Sequence, residues 1–159
     1  MNPEDEQPVI DYQTLAELRY QIRRFLRFSE QAARAAGIEP QQYQLLLALK
    51  GLPEGRKPTV GELAARLQIQ HNSTVELINR LVEHHLVERQ RDASDQRHAI
   101  ITLTLRGEQT LQHLALYHQT ELQTIGPALL QALETLLAQD GMSNSLFAAS
   151  QEGKDRSTW

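Results

Sequence analysis

The chain has 159 residues, 40% of them hydrophobic but only 5% aromatic, and a formal net charge of −4. That is enough apolar material for one domain or two intimate subdomains, with a core of Leu, Ile, Val and Ala. The absence of cysteine excludes disulfides, Cys-ligated zinc and a thiol redox sensor, and no run approaches the roughly 18 apolar residues of a membrane span.

The acidity is unevenly spread. Residues 1–55 hold 6 Lys/Arg against 8 Asp/Glu, residues 56–106 hold 8 against 6, and residues 107–159 hold 2 against 6. Only the middle carries net positive charge, the sign a phosphate partner needs, although the excess is small.

Residues 1–10 are acidic and Pro-containing, unlike a basic-then-apolar signal peptide, and read as a disordered arm of a soluble cytoplasmic protein. A helix is expected from Asp11 to Ala36, where Leu15, Leu18, Ile22, Phe25 and Leu26 recur at helical spacing. Arg19, Arg23, Arg24 and Arg27 occupy much of the remainder and read as a solvated face. Gly37 is placed to stop this helix. Glu39-Pro40 opens the next, with proline at the first position. Its run Tyr43, Leu45, Leu46, Leu47, Ala48, Leu49 is apolar nearly all round and marks a central buried helix. Residues 53–58, P-E-G-R-K-P, form a loop by composition.

From Thr59 to Val82 the pattern is two helices about a very short turn. Thr59 followed by Glu62 predicts a capping box, and Leu63, Ala64 and Leu67 share one face. The phase breaks at Gln68-Ile69-Gln70. Thr74, Leu77, Ile78 and Leu81 then fall at i, i+3, i+4 and i+7, a stripe to be buried. Asn72, Glu76, Asn79 and Glu83 lie opposite, with Ser73 and Arg80 on one flank and Val75 on the other. A second helix offering a short-chained polar face near its start is the helix-turn-helix arrangement, although an ordinary helical hairpin shows the same pattern.

Val87-Glu88-Arg89 and Ala99 to Leu103 read as two short strands around a polar loop, a β-hairpin placed directly after the second helix. Such a wing needs a cation at its tip to enter a minor groove. Arg97 is the candidate, with Arg91 behind it, while Asp92 and Asp95 brace the loop by bonding amides or an arginine. Thr104 caps the next helix, and Gly107 in its first turn permits close backbone approach. Leu111, Leu114, Leu122 and Ile125 carry that helix to a break or kink at Gly126-Pro127. Leu129, Leu130, Leu133, Leu136 and Leu137 form another amphipathic helix that ends at Asp140-Gly141. A short helical segment around Leu146-Phe147 and a disordered tail, 150–159, complete the chain.

In this order of elements the chain resembles the MarR family, the multiple-antibiotic-resistance type of winged helix-turn-helix regulators. The matching residues are Pro40-Gln41-Gln42-Tyr43, Val60-Gly61-Glu62-Leu63-Ala64, Asn79-Arg80-Leu81, Leu86-Val87-Glu88-Arg89, the wing signature Asp92-x-x-Asp95-x-Arg97, and Leu103-Thr104-x-x-Gly107. The similarity spans about residues 12–138, and the wing signature at its distance from the helix-turn-helix is its specific part. Gln68 and His85 stand where such proteins often have glycine, and Glu76 puts an anion on the groove-facing side.

The resemblance implies a mainly α fold with a small antiparallel β-wing. Residues 39–103 form the DNA-binding lobe, and residues 11–38 and 104–149 supply helices that interleave into a homodimerisation region. It implies a transcription regulator, usually a repressor, released by a small molecule bound between dimer base and lobe. The recognition helix is 71–84 and the wing 91–98. A two-fold dimer meets a pseudo-palindromic operator in double-stranded DNA, with half-sites roughly 34–36 Å apart. Asn72, Ser73, Val75 and Glu76 then read base edges. Arg80, Arg89, Arg91 and the helix start at Thr59 contact phosphates, and Arg97 enters the minor groove. Tyr20, Tyr43, His71 and His118 are candidate effector-binding residues.

Two competing readings are a winged-helix module that binds protein instead of DNA, and an enzyme. No Gly-rich phosphate loop, G-x-S-x-G, H-E-x-x-H or cysteine nucleophile supports the second. His84, His85, His98, His113 and His118 suggest metal only weakly, because His113 and His118 miss the i, i+4 spacing that puts two ligands on one helix face. No cofactor and no membrane partner are expected.

Overall fold

Seven elements follow one another in the computed structural model: α1 Tyr12–Ala35, α2 Pro40–Lys50, α3 Val60–Leu67, α4 His71–Glu83, β1 Val87–Arg91, β2 Ala99–Leu103 and α5 Leu105–Glu152. It describes residues 9–152, with side chains as far as Ala138. The arm expected at 1–10 and the tail expected at 150–159 therefore lie mostly outside the described residues. The architecture is mainly α with one two-stranded antiparallel sheet, a winged helix-turn-helix. Two compact units divide the chain, one of residues 27–120 and one made of the two ends, up to Leu26 and from Glu121 onward.

The larger unit is built on α2. Tyr43, Leu45 and Leu46 from this helix meet Leu63 of α3, Leu77, Ile78 and Leu81 of α4, and Leu86, Val87 and Ile101 of the wing. The unit reaches past 39–103 at both ends because Ala33 and Ile38 before it, and Leu111 and Leu114 after it, complete the same core. Near-continuous apolar sequence in α2 is answered by burial on most sides, with Leu47 left 43% exposed. Pro40 opens the helix, and the Gln42 side chain reaches back to accept from the Glu39 N–H at 2.8 Å.

Three helix ends share one backbone device. After α1, the Gly37 N–H donates to the Arg34 carbonyl and the Ile38 N–H to the Ala33 carbonyl, with Gly37 at φ +79. After α3, Gln68 and Ile69 donate to Ala65 and Ala64 in the same pattern, and after α4, His85 and Leu86 donate to Val82 and Leu81. This is the Schellman motif, which needs a left-handed residue at its centre. Gln68 (φ 54) and His85 (φ 57) accept that conformation without glycine's freedom.

The unit of the chain ends pairs the first part of α1 with the later part of α5. Asp11 caps α1, accepting from the Thr14 N–H at 2.9 Å. Gln21, Ile125 and Ala132 are buried, while Leu15, Ile22 and Leu26 of α1 and Leu122, Leu130, Leu133 and Leu137 of α5 stay exposed. A cleft of about 360 Å³ runs between the helices, lined by Gln13, Glu17, Ala128, Gln131, Ala132 and neighbours.

Here the structure corrects the expected boundaries. One helix, Leu105–Glu152, runs without a break through Gly126-Pro127, where a break or kink is expected, and through the stop expected at Asp140-Gly141 and the separate segment at Leu146-Phe147. Pro127 forfeits one N–H donor and crowds the preceding turn, at a cost of about 3 kcal/mol. The flanking residues are mostly Leu, Ala and Gln, strong helix formers that regain the ladder on both sides.

Candidate nucleic-acid interface

The site begins at the start of α3. Thr59 accepts from the Glu62 N–H at 3.2 Å, so half of the expected capping box forms. The other half does not. Glu62 instead pairs with Arg56 and Arg66, at 3.4 and 3.3 Å. The Thr59 N–H donates to the Lys57 carbonyl at 2.8 Å, which removes the need for the carboxylate.

The three residues Gln68-Ile69-Gln70 reverse the chain into α4. There Thr74, Leu77, Ile78 and Leu81 are buried, the stripe the spacing predicts. Thr74 is fully buried with its hydroxyl donating to the Gln70 carbonyl at 3.1 Å, so its burial leaves no orphan polar group. Asn72, Ser73, Glu76, Asn79 and Arg80 are exposed along the opposite side and Val75 is half-buried. This face stands on a packed helix, so its side chains are presented from a rigid base.

At the far end of α4, the Thr104 hydroxyl donates to the carbonyl of the strained His85 at 2.7 Å, and the Thr104 hydroxyl oxygen accepts from the Gly107 N–H at 3.0 Å. A Cβ on Gly107 would lie 1.9 Å from the Leu86 carbonyl oxygen. The close approach expected at Gly107 is therefore where α5 is seated against the α4–β1 junction.

β1 and β2 pair from Val87↔Leu103 to Arg91↔Ala99, leaving Asp92 to His98 as the wing loop. Asp92 accepts from the Ser94 N–H and hydroxyl, both at 3.0 Å, and from Lys57 Nζ at 2.6 Å. Asp95 accepts from the Arg97 N–H at 3.1 Å and bonds His98 Nδ1 at 2.9 Å. The bond from Lys57, then that from the Ser94 amide, hold the Asp92 carboxyl at about 2. Asp95 is likewise held below the usual carboxylate range, first by the Arg97 amide and then by His98. Asp92 is thus held by Lys57 and Ser94, and Asp95 by donors of the loop itself. Arg97 projects from the loop with its side chain 92% exposed and its Nε 3.6 Å from Asp95.

Arg89 and Arg91 are exposed on β1. The Arg89 guanidinium donates to Asn79 of α4 at 2.5 Å, tying wing strand to helix. Neither this pair nor the Lys57–Asp92 pair is visible in local spacing. Lys57 reads as one residue of a polar loop, and its partner is 35 positions away.

The effector candidates separate. Tyr43 and His118 meet inside the larger unit, Tyr43 Oη bonded to His118 Nδ1, with ring centroids 4.5 Å apart and Phe28 edge-on to the imidazole. Burial raises the Tyr43 pKa and lowers that of His118, the latter opposed by a bond to the Ser29 backbone. Tyr20 is exposed in the other unit and His71 is exposed at the start of α4. A cleft of about 310 Å³ between α2, α3 and α4 is lined by other residues, Gln41, Gln44, Arg66, Leu67, Ile69 and Leu77.

This geometry has known counterparts. The MarR family profile matches residues 36–98, from the end of α1 through the wing loop. Over that segment the chain is similar to the MarR family. An HTH-type transcriptional regulator of Bacillus subtilis (strain 168), YsmB, itself uncharacterized, is 33% identical over 86 residues, which are 54% of this chain and 57% of YsmB. Among solved structures, AbsC, a MarR-family transcriptional regulator from Streptomyces coelicolor, superposes with a TM-score of 0.65 at 20% identity, over 89% of this chain and 99% of its own. A mutant MarR from E. coli complexed with operator DNA gives 0.61 at 19% identity, over 80% and 93%. BpsR of Bordetella bronchiseptica, whose DNA binding is regulated by 6-hydroxynicotinic acid, gives 0.59 at 20% identity, over 81% and 98%. At these identities the structures establish a shared fold and nothing finer. YsmB and AbsC are both named as transcriptional regulators.

Proposed function

We propose that this chain is a homodimeric, sequence-specific DNA-binding regulator of transcription. α4 enters the major groove and the wing enters the minor groove. The observation that carries this reading is the pairing of two exposed surfaces on one packed unit: the polar start of α4, backed by its buried stripe, and the wing tip with Arg97 extended into solvent. That a mutant MarR of E. coli with this fold is known in complex with operator DNA supports the reading.

In this reading Asn72, Ser73, Val75 and Glu76 meet base edges. Arg80, Arg89, Arg91 and the N-terminus of α3 at Thr59 meet phosphates. Asp92 and Asp95 hold the loop so that Arg97 reaches the narrow groove. The protein acts as a repressor released by a small effector, as regulation of BpsR by 6-hydroxynicotinic acid suggests. It works in the cytoplasm; among the described residues no helix is long and apolar enough to cross a membrane.

The test is binding to duplex DNA from upstream of its own coding region, followed by anisotropy across a salt series. Phosphate contacts release counterions, so affinity falls steeply with salt. Arg97→Ala is expected to weaken operator binding without lowering the melting temperature. Changing Asn72 is expected to shift preference at one base pair per half-site by about 1–3 kcal/mol. A flat salt response to every duplex would favour the alternative, a winged-helix surface for a protein partner, for which the exposed Glu76 is suited.

A further inference from the structure

We infer that Lys57, in the loop between α2 and α3, is the positioning residue of the wing. It locks the wing loop to the start of the helix-turn-helix and so fixes where Arg97 is presented. This inference rests on the DNA-binding reading above.

Lys57 Nζ donates to Asp92 Oδ2 at 2.6 Å and also to the Ser94 hydroxyl. Asp92 is the first residue past β1, and its other oxygen gathers the Ser94 N–H and hydroxyl. One ammonium group therefore holds the base of the loop through two residues at once. The next residue, Pro58, accepts from the Ile101 N–H of β2 at 2.9 Å. The one after that, Thr59, caps α3. Three consecutive residues thus tie the loop base, the second strand and the first helix of the DNA-facing surface together.

The wing's other anchors hold its strands: the Pro58–Ile101 backbone bond, the Arg89–Asn79 bond and the buried Val87 and Ile101. None of them reaches the loop. The Lys57 contact lies past the distal end of β1, at the base of the loop that carries Arg97. Asp92 has a side chain only 10% exposed, and Lys57 is its only ion-pair partner among the described residues. Without Lys57 the carboxylate keeps its Ser94 bonds but loses its counter-charge, so it is drawn toward water and takes the loop base with it. Arg97 sits five positions along the same loop, and its own restraints all lie within the loop. They shape the tip but do not aim it.

A lysine beside DNA could instead contact a phosphate directly, and the two roles predict different couplings. Operator affinity would be measured for wild type, Lys57→Gln, Arg97→Gln and the double variant, at several salt concentrations. Hydrogen exchange of residues 92–98 would be followed without DNA. If Lys57 aims the wing, Arg97 contributes only while Lys57 is present. The double variant then binds about threefold or more tighter than the product of the two single losses requires. Lys57→Arg restores affinity, and exchange in the loop speeds up in Lys57→Gln with no DNA present. The inference is overturned if the single losses multiply and the logarithmic salt slope falls by about 0.9, the signature of one lost phosphate contact. It is equally overturned if exchange in the loop is unchanged. Wild-type protein that binds no duplex would sink the DNA-binding reading instead, and the exchange comparison would still decide whether the lock exists.

Discussion

Gly107 and His85 are linked through Thr104 at the junction where α4 hands over to the wing and α5 begins, and they are constrained in opposite ways. Gly107 has no room: its missing Cβ would overlap the Leu86 carbonyl oxygen at 1.9 Å. Relief needs the backbone of α5 to move off the junction, because a carbonyl cannot swing aside as a side-chain tip can. Gly107→Ala is therefore expected to destabilise the larger unit by about 2 kcal/mol or more, read as a lower midpoint in urea unfolding. His85 is exposed but has the wrong φ for an L-residue, +57. His85→Gly is expected to stabilise by about 0.5–1 kcal/mol, the relief of a left-handed side chain less glycine's extra entropy in the unfolded state. A His85→Gly variant that is less stable than wild type would mean the imidazole makes a contact worth more than the strain. The two substitutions share the Thr104 link, so their effects are not expected to add.

Among elements, the wing shows how far spacing can be read. α4 was legible because periodicity alone separates Thr74, Leu77, Ile78 and Leu81 from the polar residues opposite them. The hairpin was legible from its strand-forming residues and polar loop, and the bracing role of Asp92 and Asp95 from their unsuitability as DNA contacts. Other features depend on distant partners and leave no local trace. Lys57 finds Asp92 only after the chain has made two helices and a strand. Glu62 abandons the capping box because Arg56 and Arg66 compete for it. Pro127 fails to stop α5 because the residues around it outweigh one proline. The wing's charges make a further prediction. Asp92 is held at about 2 in the folded chain, below its ordinary 3.8, chiefly by Lys57. A carboxyl with a depressed folded pKa contributes stability that is fully present above the ordinary value and is lost as pH falls toward the folded one. The lock should therefore hold unchanged from neutral pH to about 4 and loosen between about 4 and 2. In a carbon-13 NMR titration the Asp92 carboxyl is expected to respond last among the loop acids, and to move back toward its ordinary value in Lys57→Gln.

For the whole molecule the exposed apolar surface is on α1 and α5. On α5, Leu122, Leu130, Leu133 and Leu137 are each at least 41% exposed. At 100° per residue they fall within about 80° of one another, a single stripe. Gly126 lies within that stripe with nothing within 4 Å of where its Cβ would be. On α1, Leu15, Ile22 and Leu26 make a second exposed stripe. A monomer would leave both in water, whereas burying an exposed leucine yields about 1.5–3 kcal/mol, and half-exposed ones a fraction of that each. Seven such residues per chain can offset the several kcal/mol that association costs in lost freedom. A second copy of the same chain is the partner the proposed function requires, since two-fold pairing puts identical stripes against each other. Leu130→Glu together with Leu137→Glu should therefore shift sedimentation from dimer to monomer while the core of residues 27–120 still unfolds cooperatively. Operator affinity should fall with it, because one lobe then holds one half-site without the other to raise its effective concentration. A variant that sediments as a monomer yet binds the full operator as tightly as wild type would show that pairing through these ends is not how the protein engages DNA.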